Sequence, residues 1–461
     1  MQDSVASFLS THALLSAAGL LLYAFVSHAL RQRRHPAAAV GWVLLLMSAP
    51  LIGLPLFLVF GSRKLARARP ARRTVSLGGG DAWLPALAAS TGLPPAAPYR
   101  ALVLHADGDD AMRALFETID GARRTLDVCT FLLGRDTLAD TLIERLSARA
   151  AAGVRVRLLV DGVGLLMGGR RGANRLAARG VEIATFVPPL RAPWRGRLNL
   201  RNHRKLVIAD RERLWTGGRN LAAQYFVHTH DAPWRDLSFD LRGELVAQAA
   251  ALFDADWRFA TGRTAIAASR MAEPRVEGCA PDGPCAQLVP SGPDYAEDTL
   301  HALLITACFR ARHRIRAVTP YLVPDDALLS AFVLAARRGV EVEIVLPLRS
   351  NHRFADFARR RALRDLSEAG ARLRFVPDMV HAKAIVIDDG LAFAGSANLD
   401  ARSLFLNYEL MIAFDDADDV RRFDQAISAI AIDATDTLPI VPPSLVGRLV
   451  EGAVLWLAFQ L

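Results

Sequence analysis

The sequence predicts an α/β protein written twice, set behind an apolar N-terminal segment. Three observations carry that expectation. Strand-like stretches alternate with Ala/Leu-rich helical ones, one set of polar residues recurs 178 positions later, and two long uncharged runs precede both copies. At 461 residues, 52% of them hydrophobic, the chain is long enough for two or three domains with real cores.

The first element is the apolar start. Val5 to Leu30 carries no charge apart from His12 and His28 when protonated, and Ala37 to Gly61 carries none over 25 residues. Each exceeds the roughly 20 residues that span hydrocarbon. No basic residue precedes the first run and a second run follows it, which argues against a signal peptide. Residues 1–73 therefore read as a membrane anchor, a hairpin of two apolar helices, with buried core helices as the soluble alternative. The formal net charge of +9 is concentrated here: residues 1–73 hold nine cations and only Asp3 as an anion, so the rest is near neutral. That distribution argues against a nucleic-acid footprint. The larger cluster, Arg63 to Arg73, favours a cytoplasmic catalytic part. A two-span hairpin then places the basic RQRRHP connection on the wrong side, whereas a second segment kinked or re-entrant at Pro50, Gly53 and Pro55 keeps both clusters on one face.

Residues 74–99 read as a linker rich in Gly, Ala, Ser and Pro, and 266–285 as a second one. Between and after them lie two domains, 100–265 and 286–461, the latter closing with an apolar helix. TLDVCTFLL and HRIRAVTPYLV are the first strands, and the helices that follow lead into AAGVRVRLLVDG and ARRGVEVEIVLP. Cys129, Cys279, Cys285 and Cys308 form no CxxC pair, so no zinc site is expected. They suit a reducing compartment; Cys279 and Cys285 read as a pair or, in preference, as loop residues without a redox role.

The repeated polar set gives the chemistry. RNHRKLVIADRERLWTGGRN at 201–220 is matched by MVHAKAIVIDDGLAFAGSANLD at 379–400. His203/His381, Lys205/Lys383, Asp210/Asp388, Gly217/Gly395 and Asn220/Asn398 share one offset. Of 56 cationic residues only Lys64, Lys205 and Lys383 are lysines, so two of the three stand in this pattern. LVIA and AIVI read as buried strands, and residues i and i+2 of a strand share a face. Two His–Lys pairs facing one another surround a small volume with two imidazoles and two ammoniums. That set suits a phosphodiester: the ammoniums stabilise its non-bridging oxygens, one imidazole attacks phosphorus, and the other protonates the leaving alkoxide. Asn220 and Asn398 can donate further hydrogen bonds to the phosphate.

These residues resemble the HxKx4Dx6G[GS]xN motif of the phospholipase D superfamily, and the resemblance runs from about residue 100 onward. More narrowly, the paired apolar segments, RNHRK, Trp234–Arg235–Asp236, TPYLVPD at 319–325 and ANLDARSLFLNYE at 397–409 resemble bacterial cardiolipin synthases. The resemblance implies two α/β/α domains packed as a pseudo-dimer with one active site where the motifs meet. It implies a catalytic set of His203, Lys205, Asp210, His381, Lys383 and Asp388, although the two aspartates read better as holders of local backbone. It places Asp236 against His381 and Glu409 against His203, and favours His203 as the nucleophile, with His381 as acid and then base. The implied reaction moves a phosphatidyl group from one phosphatidylglycerol to another, releasing glycerol and making cardiolipin. It needs no cofactor or metal, and it takes place at a bacterial inner membrane with the catalytic domains in the cytoplasm. A phosphatidylserine synthase or a phospholipase D is the alternative. A nuclease fits the near-neutral catalytic part less well, and nucleic acid is not an expected partner.

Five further features have competing readings. His228 and His230 read as loop histidines or as headgroup contacts, and Arg201 and Arg204 as lipid-phosphate binders or a solvated strand face. Tyr321 reads as packing or pocket lining. GGRRGANR at 168–175 reads as a turn or a mobile basic loop near an anionic surface. SLVGRLVEGAVLWLAFQL reads as a helix docked on the second domain or lying in the membrane interface.

Overall fold

The computed structural model describes residues 2–29, 36–61, 83–188, 199–227, 234–262, 283–295, 297–436 and Glu451. Two sheets dominate it. The first has seven strands in the spatial order Arg100–His105, Ser238–Arg242, Arg213–Gly217, Leu206–Ala209, Thr125–Thr130, Arg155–Asp161 and Glu182–Phe186. The second repeats that order with Cys285–Ser291, Glu409–Phe414, Leu391–Gly395, Ala384–Ile387, Arg314–Val318, Glu341–Pro347 and Arg372–Val376. In each, the last three strands run parallel and the other pairings are antiparallel. The central parallel strands are buried along most of their length because helices cover both faces, and the charges they bury are paired, Arg157 with Asp127 and Arg316 with Glu343. Aspartates start the helices that pack there: Asp107, Asp136, Asp325 and Asp416 each accept backbone N–H bonds at an N-cap. The duplicated α/β architecture is therefore as expected.

One apolar core is shared by the halves. It joins Leu206, Ile208, Phe239 and Leu241 of the first to Leu288, Tyr408, Leu410 and Phe414 of the second. Burial of this seam makes the two sheets one body around the motifs.

Three elements differ from expectation. The long helix α1, Gln2–Ala29, contains one stretch long and apolar enough to cross a membrane, Ser10–Ser27. The second apolar run is two helices, α2 (Pro36–Ser48) and α3 (Pro50–Phe60). At 1.5 Å per residue α1 is about 42 Å long, whereas α2 and α3 are about 20 and 16 Å, short of the roughly 30 Å hydrocarbon core. Ala49 is non-helical and Pro50 opens α3. The rings of Trp42 and Phe57 meet at 5.2 Å, although fifteen residues of one straight helix would separate them by about 22 Å. The run thus doubles back on itself: the hairpin of two spanning helices gives way to the other expectation, a second segment kinked at Pro50 beside one long helix.

The expected linker 74–99 is also partly ordered. Trp83–Ser90 is a helix whose Leu84 and Ala88 enter the second half's core beside Leu300 and Leu304. GGRRGANR is neither a turn nor a loop, but a π-helical turn Leu165–Gly169 continuing into the helix Arg170–Ala177. Cys129 and Cys308 are free and buried, while Cys285 is disulfide-bonded, which overturns the preferred loop reading in favour of pairing. His228 and His230 lie outside the described residues. So does the C-terminal apolar stretch except Glu451, whose carboxylate pairs with Arg364 of the second half.

Candidate active site

Each motif histidine stands just before a short buried strand, Leu206–Ala209 or Ala384–Ile387. Backbone bonds lace each to the opposite half. The His203 N–H donates to the Tyr408 carbonyl at 2.9 Å, and the Tyr408 N–H to the Arg201 carbonyl at 2.8 Å. In the mirrored pair, His381 N–H donates to the Arg235 carbonyl at 2.7 Å and Arg235 N–H to that of Met379 at 2.9 Å. Tyr408 and Arg235 directly precede Glu409 and Asp236, so this lacing delivers each carboxylate to the other half's histidine. His203 Nδ1 lies 2.9 Å from Glu409 Oε1, and His381 Nδ1 lies 2.7 Å from Asp236 Oδ2.

Both carboxylates are wholly buried. Burial pushes the Asp236 carboxyl up, but His381 and Lys383 outweigh it and hold it at about 2. Glu409 is likewise held below the ordinary range by His203 and Lys205 against its burial. For the imidazoles burial acts the other way. It lowers His381 to about 3 with help from Lys383, and lowers His203 despite Glu409. At neutral pH both rings are therefore uncharged. An Nδ1–H held by a carboxylate leaves the Nε2 lone pair free, the form a nucleophile needs.

The lysines complete the centre. Burial lowers Lys205 to about 8 and Lys383 to about 7, although Asp236 and Glu409 favour the charged forms. Lys205 Nζ donates to the His203 carbonyl at 2.6 Å, and Lys383 Nζ donates to that of His381. Lys383 Nζ also lies 2.8 Å from His381 Nδ1. A single Nδ1 cannot both donate to Asp236 and accept from the ammonium, and the shorter contact to a full carboxylate decides for Asp236. Lys383 acts on His203, and Lys205 acts on His381. The two pairs therefore share one electrostatic volume.

The remaining motif residues separate into supports and donors. Asn220 Nδ2 donates to the Tyr225 hydroxyl at 2.9 Å and Asn398 Nδ2 to Asp400 at 3.0 Å. Each amide keeps a second N–H that can meet a phosphate oxygen. Asp210 and Asp388, counted in the catalytic set, do not reach this centre. They stand at the far ends of the two strands, where Asp210 accepts the N–H groups of Arg123, Arg124 and Thr125 at 2.6–2.9 Å. Asp388 does the same for Arg312, His313 and Arg314 at 2.8–3.0 Å. They pin the neighbouring strand, which corrects the catalytic assignment and agrees with the backbone-holding reading.

Arg201 and Arg204 are neither solvated nor open to a lipid. Arg204 is fully buried and chelates Asp256 at 2.6 and 2.8 Å while donating to the carbonyls of Glu409 and Ser291. Arg201, also buried, meets Asp161 at 3.3 Å. An unpaired guanidinium could not be buried so fully. Their carboxylate partners lie about 40–50 residues away, beyond the reach of local reading.

Phe131 and Tyr225 had no sequence signal, while Trp234 and the Gly218/Ser396 position stood in the quoted motifs without an assigned role. The Phe131 ring meets the His203 ring at 5.5 Å, and Tyr225 and Trp234 meet His381 at 4.9 and 5.6 Å. Ser396 Oγ donates to Glu409 Oε2 at 2.5 Å. Gly218 occupies the matching position of the first motif, where a Cβ would sit 2.1 Å from Asp236 Oδ1. This explains the G-G and G-S difference between the copies: the shorter Asp236 fills the space that Ser396 fills beside the longer Glu409.

Two imidazoles and two ammoniums meeting at the seam of a duplicated α/β fold define a phosphodiester-transfer enzyme of the phospholipase D superfamily. A family model described as "Cardiolipin synthase, PLD-like domain" matches residues 115–257 and 304–431. Cardiolipin synthase A of Pseudomonas entomophila (strain L48) is 32% identical over 446 residues, covering 89% of this chain and 91% of that protein. Cardiolipin synthase A of Klebsiella pneumoniae (strain 342) is 30% identical over 427 residues, covering 86% and 87%. The chain belongs to the cardiolipin synthase family. The solved phosphatidylserine synthase of Haemophilus influenzae Rd KW20 superposes with a TM-score of 0.64 at 13% identity, covering 80% of this chain and 98% of that one. That likeness concerns the fold alone.

Proposed function

We propose that the enzyme makes cardiolipin by moving a phosphatidyl group from one phosphatidylglycerol to another. The observation that carries this reading is the crossed pairing of each motif histidine with the other half's buried carboxylate. His203 Nε2 attacks the donor phosphorus, the bond from phosphorus to the glycerol oxygen breaks, and that oxygen takes a proton from His381 Nε2. His381, kept neutral at rest by burial and then by Lys383, takes up this proton from solvent as the phosphodiester anion binds beside it. A hydroxyl of the second phosphatidylglycerol then gives its proton to His381 as its oxygen attacks phosphorus and the phosphorus–nitrogen bond breaks. Lys205, Lys383, Asn220 and Asn398 hold the non-bridging oxygens throughout. One phosphodiester replaces another, so no nucleotide is consumed.

The family's relatives are named for cardiolipin synthesis, which favours a phosphatidylglycerol acceptor over serine or water. The helix α1 anchors the chain in the bacterial inner membrane. A reversed pair α2–α3 that enters and leaves on one face, with the basic residues of the sequence flanking it, supports a cytoplasmic side for the catalytic halves.

The test supplies purified enzyme in vesicles with phosphatidylglycerol alone and follows lipids and free glycerol. Cardiolipin with equimolar glycerol is expected. Phosphatidic acid alone would redirect the reading to hydrolysis, and cleavage of single-stranded DNA without lipid turnover would refute it. His203→Ala should abolish turnover and the covalent lipid–enzyme adduct together.

A further inference from the structure

The π-helical turn after the strand Arg155–Asp161 has an unusual placement. Glycines seat it against the strand end 131–133: a Cβ on Gly164 would lie 1.6 Å from the Phe131 carbonyl, and one on Gly168 2.7 Å from that of Leu133. Arg135 Nε fastens the Gly168 carbonyl at 2.7 Å. With the glycines turned inward, Leu166 and Met167 face solvent, 51% and 63% exposed. Arg170 and Arg171 follow, also exposed. Further along this helix, Arg175 and Arg179 pair with Asp140 and Glu144. Among the described residues Arg170 and Arg171 have no carboxylate partner. π-turns inside helices concentrate at functional sites, and this one rests on Phe131, whose ring covers His203.

The second half carries a counterpart after its matching strand, Glu341–Pro347. There Arg349, Arg353 and Phe354 are exposed, and among the described residues neither arginine is ion-paired. This segment adjoins the site through Tyr321, whose hydroxyl donates to Asn351. The adjoining strand Leu322–Val323 pairs with Leu399–Asp400, directly after Asn398. Apolar side chains beside unpaired arginines therefore stand on both sides of the histidines.

We propose that these two segments are the rim by which the catalytic halves sit on an anionic phospholipid surface, with Leu166 and Met167 inserted among the lipids. The inference rests on the lipid substrate proposed above. The apolar pair enters the headgroup region, and the flanking arginines meet lipid phosphates, the arrangement that interfacial helices use. Lipid then reaches the histidines past Phe131 without crossing open water.

Two variants of the full-length chain test it, Leu166→Ser/Met167→Ser and Arg170→Gln/Arg171→Gln, reconstituted in vesicles containing phosphatidylglycerol. Turnover of bilayer phosphatidylglycerol should fall about tenfold or more, while turnover of a short-chain phosphatidylglycerol dispersed as monomers should stay within about twofold of the parent. Equal losses on both substrates, or no loss on vesicles, would overturn the proposal. Binding is read separately with a fluorophore on Met167→Cys in the reconstituted chain. Quenching by lipids brominated in their acyl chains is expected whether or not the enzyme turns over. An unquenched label, or one cross-linked to another copy of the chain, would overturn the proposal. A parent enzyme inactive on both lipids with a quenched label would instead remove only the proposed reaction.

Discussion

Lys205 and Lys383 serve the proposed reaction as ammoniums, yet burial has brought them to about 8 and about 7. The free enzyme should therefore lose its phosphate-holding charge just above neutrality. If both protons are needed, about three-quarters of the enzyme is competent at pH 6.5 and about 0.1% at pH 9, so kcat/KM falls between 10²- and 10³-fold. The descending limb of log kcat/KM should approach a slope of two, because two protons leave. A bound phosphodiester favours the charged lysines, so the kcat profile should break at higher pH than kcat/KM. At the acid side the limb should break below the ordinary histidine range, since burial depresses His203. The assay is initial-rate glycerol release in mixed micelles across pH 5.5–9.5, in steps small enough to fix the slope. Lys383→Arg provides the control: a guanidinium stays charged throughout, so the limb should relax to a slope of one at a lower plateau. A kcat/KM that stays level to pH 9.5 would refute the assignment of both lysines as phosphate-holding cations.

Three further outcomes follow from separate parts of the fold. Gly218→Ser should cost at least about 10²-fold in kcat, since a Cβ there meets Asp236 and displaces the carboxylate that orients His381. The corresponding Ser396→Gly should be milder, since Glu409 keeps its contact with His203. Asp210→Asn should lower stability by about 1–3 kcal/mol in chemical denaturation while retaining most of kcat, because it removes charge-assisted bonds to three backbone amides. Its folded carboxyl is depressed, so this contribution is present above about pH 4 and lost as pH falls. Single cysteines at Pro36, where α2 begins, and at Phe60, where α3 ends, should react with an impermeant maleimide from the same side of the membrane, and one at Ser4 from the other. Labelling of positions 36 and 60 from opposite sides would overturn the reversed-pair topology.

Much of the fold was legible because duplication doubles the information. The strand at 125–130 and its twin at 314–318 each carry a weak signal, but agreement between copies marks both as parts of one repeated α/β unit, while the order of the strands came only with the structure. The placement of Asp236 and Glu409 rested on resemblance, and the distances now show which groups meet. What stayed hidden has physical reasons. Pro50 inside an apolar run reads alike whether the helix kinks or reverses, and only the contact of Trp42 with Phe57 distinguishes them. Arg201 and Arg204 look like surface cations because their partners, Asp161 and Asp256, arrive from other strands and helices. Phe131 and Tyr225 are ordinary aromatic residues until the seam brings them to the imidazoles.

The short stretch around Tyr99 has a consequence for how the enzyme can move. Ala97–Pro98 pairs with the second sheet, while Arg100–His105 begins the first. Tyr99, between them, bonds Asp419 through its hydroxyl at 2.6 Å and packs its ring on Phe414. The two halves are thus stitched at a point one residue wide, on top of their shared core. Parting them like the jaws of a clamshell would unpair Ala97–Pro98 from the second sheet or Arg100–His105 from the first, and open the shared core. Substrate exchange is left to side chains and rim segments rather than to hinge opening. The same stitch makes the chain interleaved: a cut between the halves yields an N-terminal piece that still carries an edge strand of its neighbour, so neither piece is a complete unit.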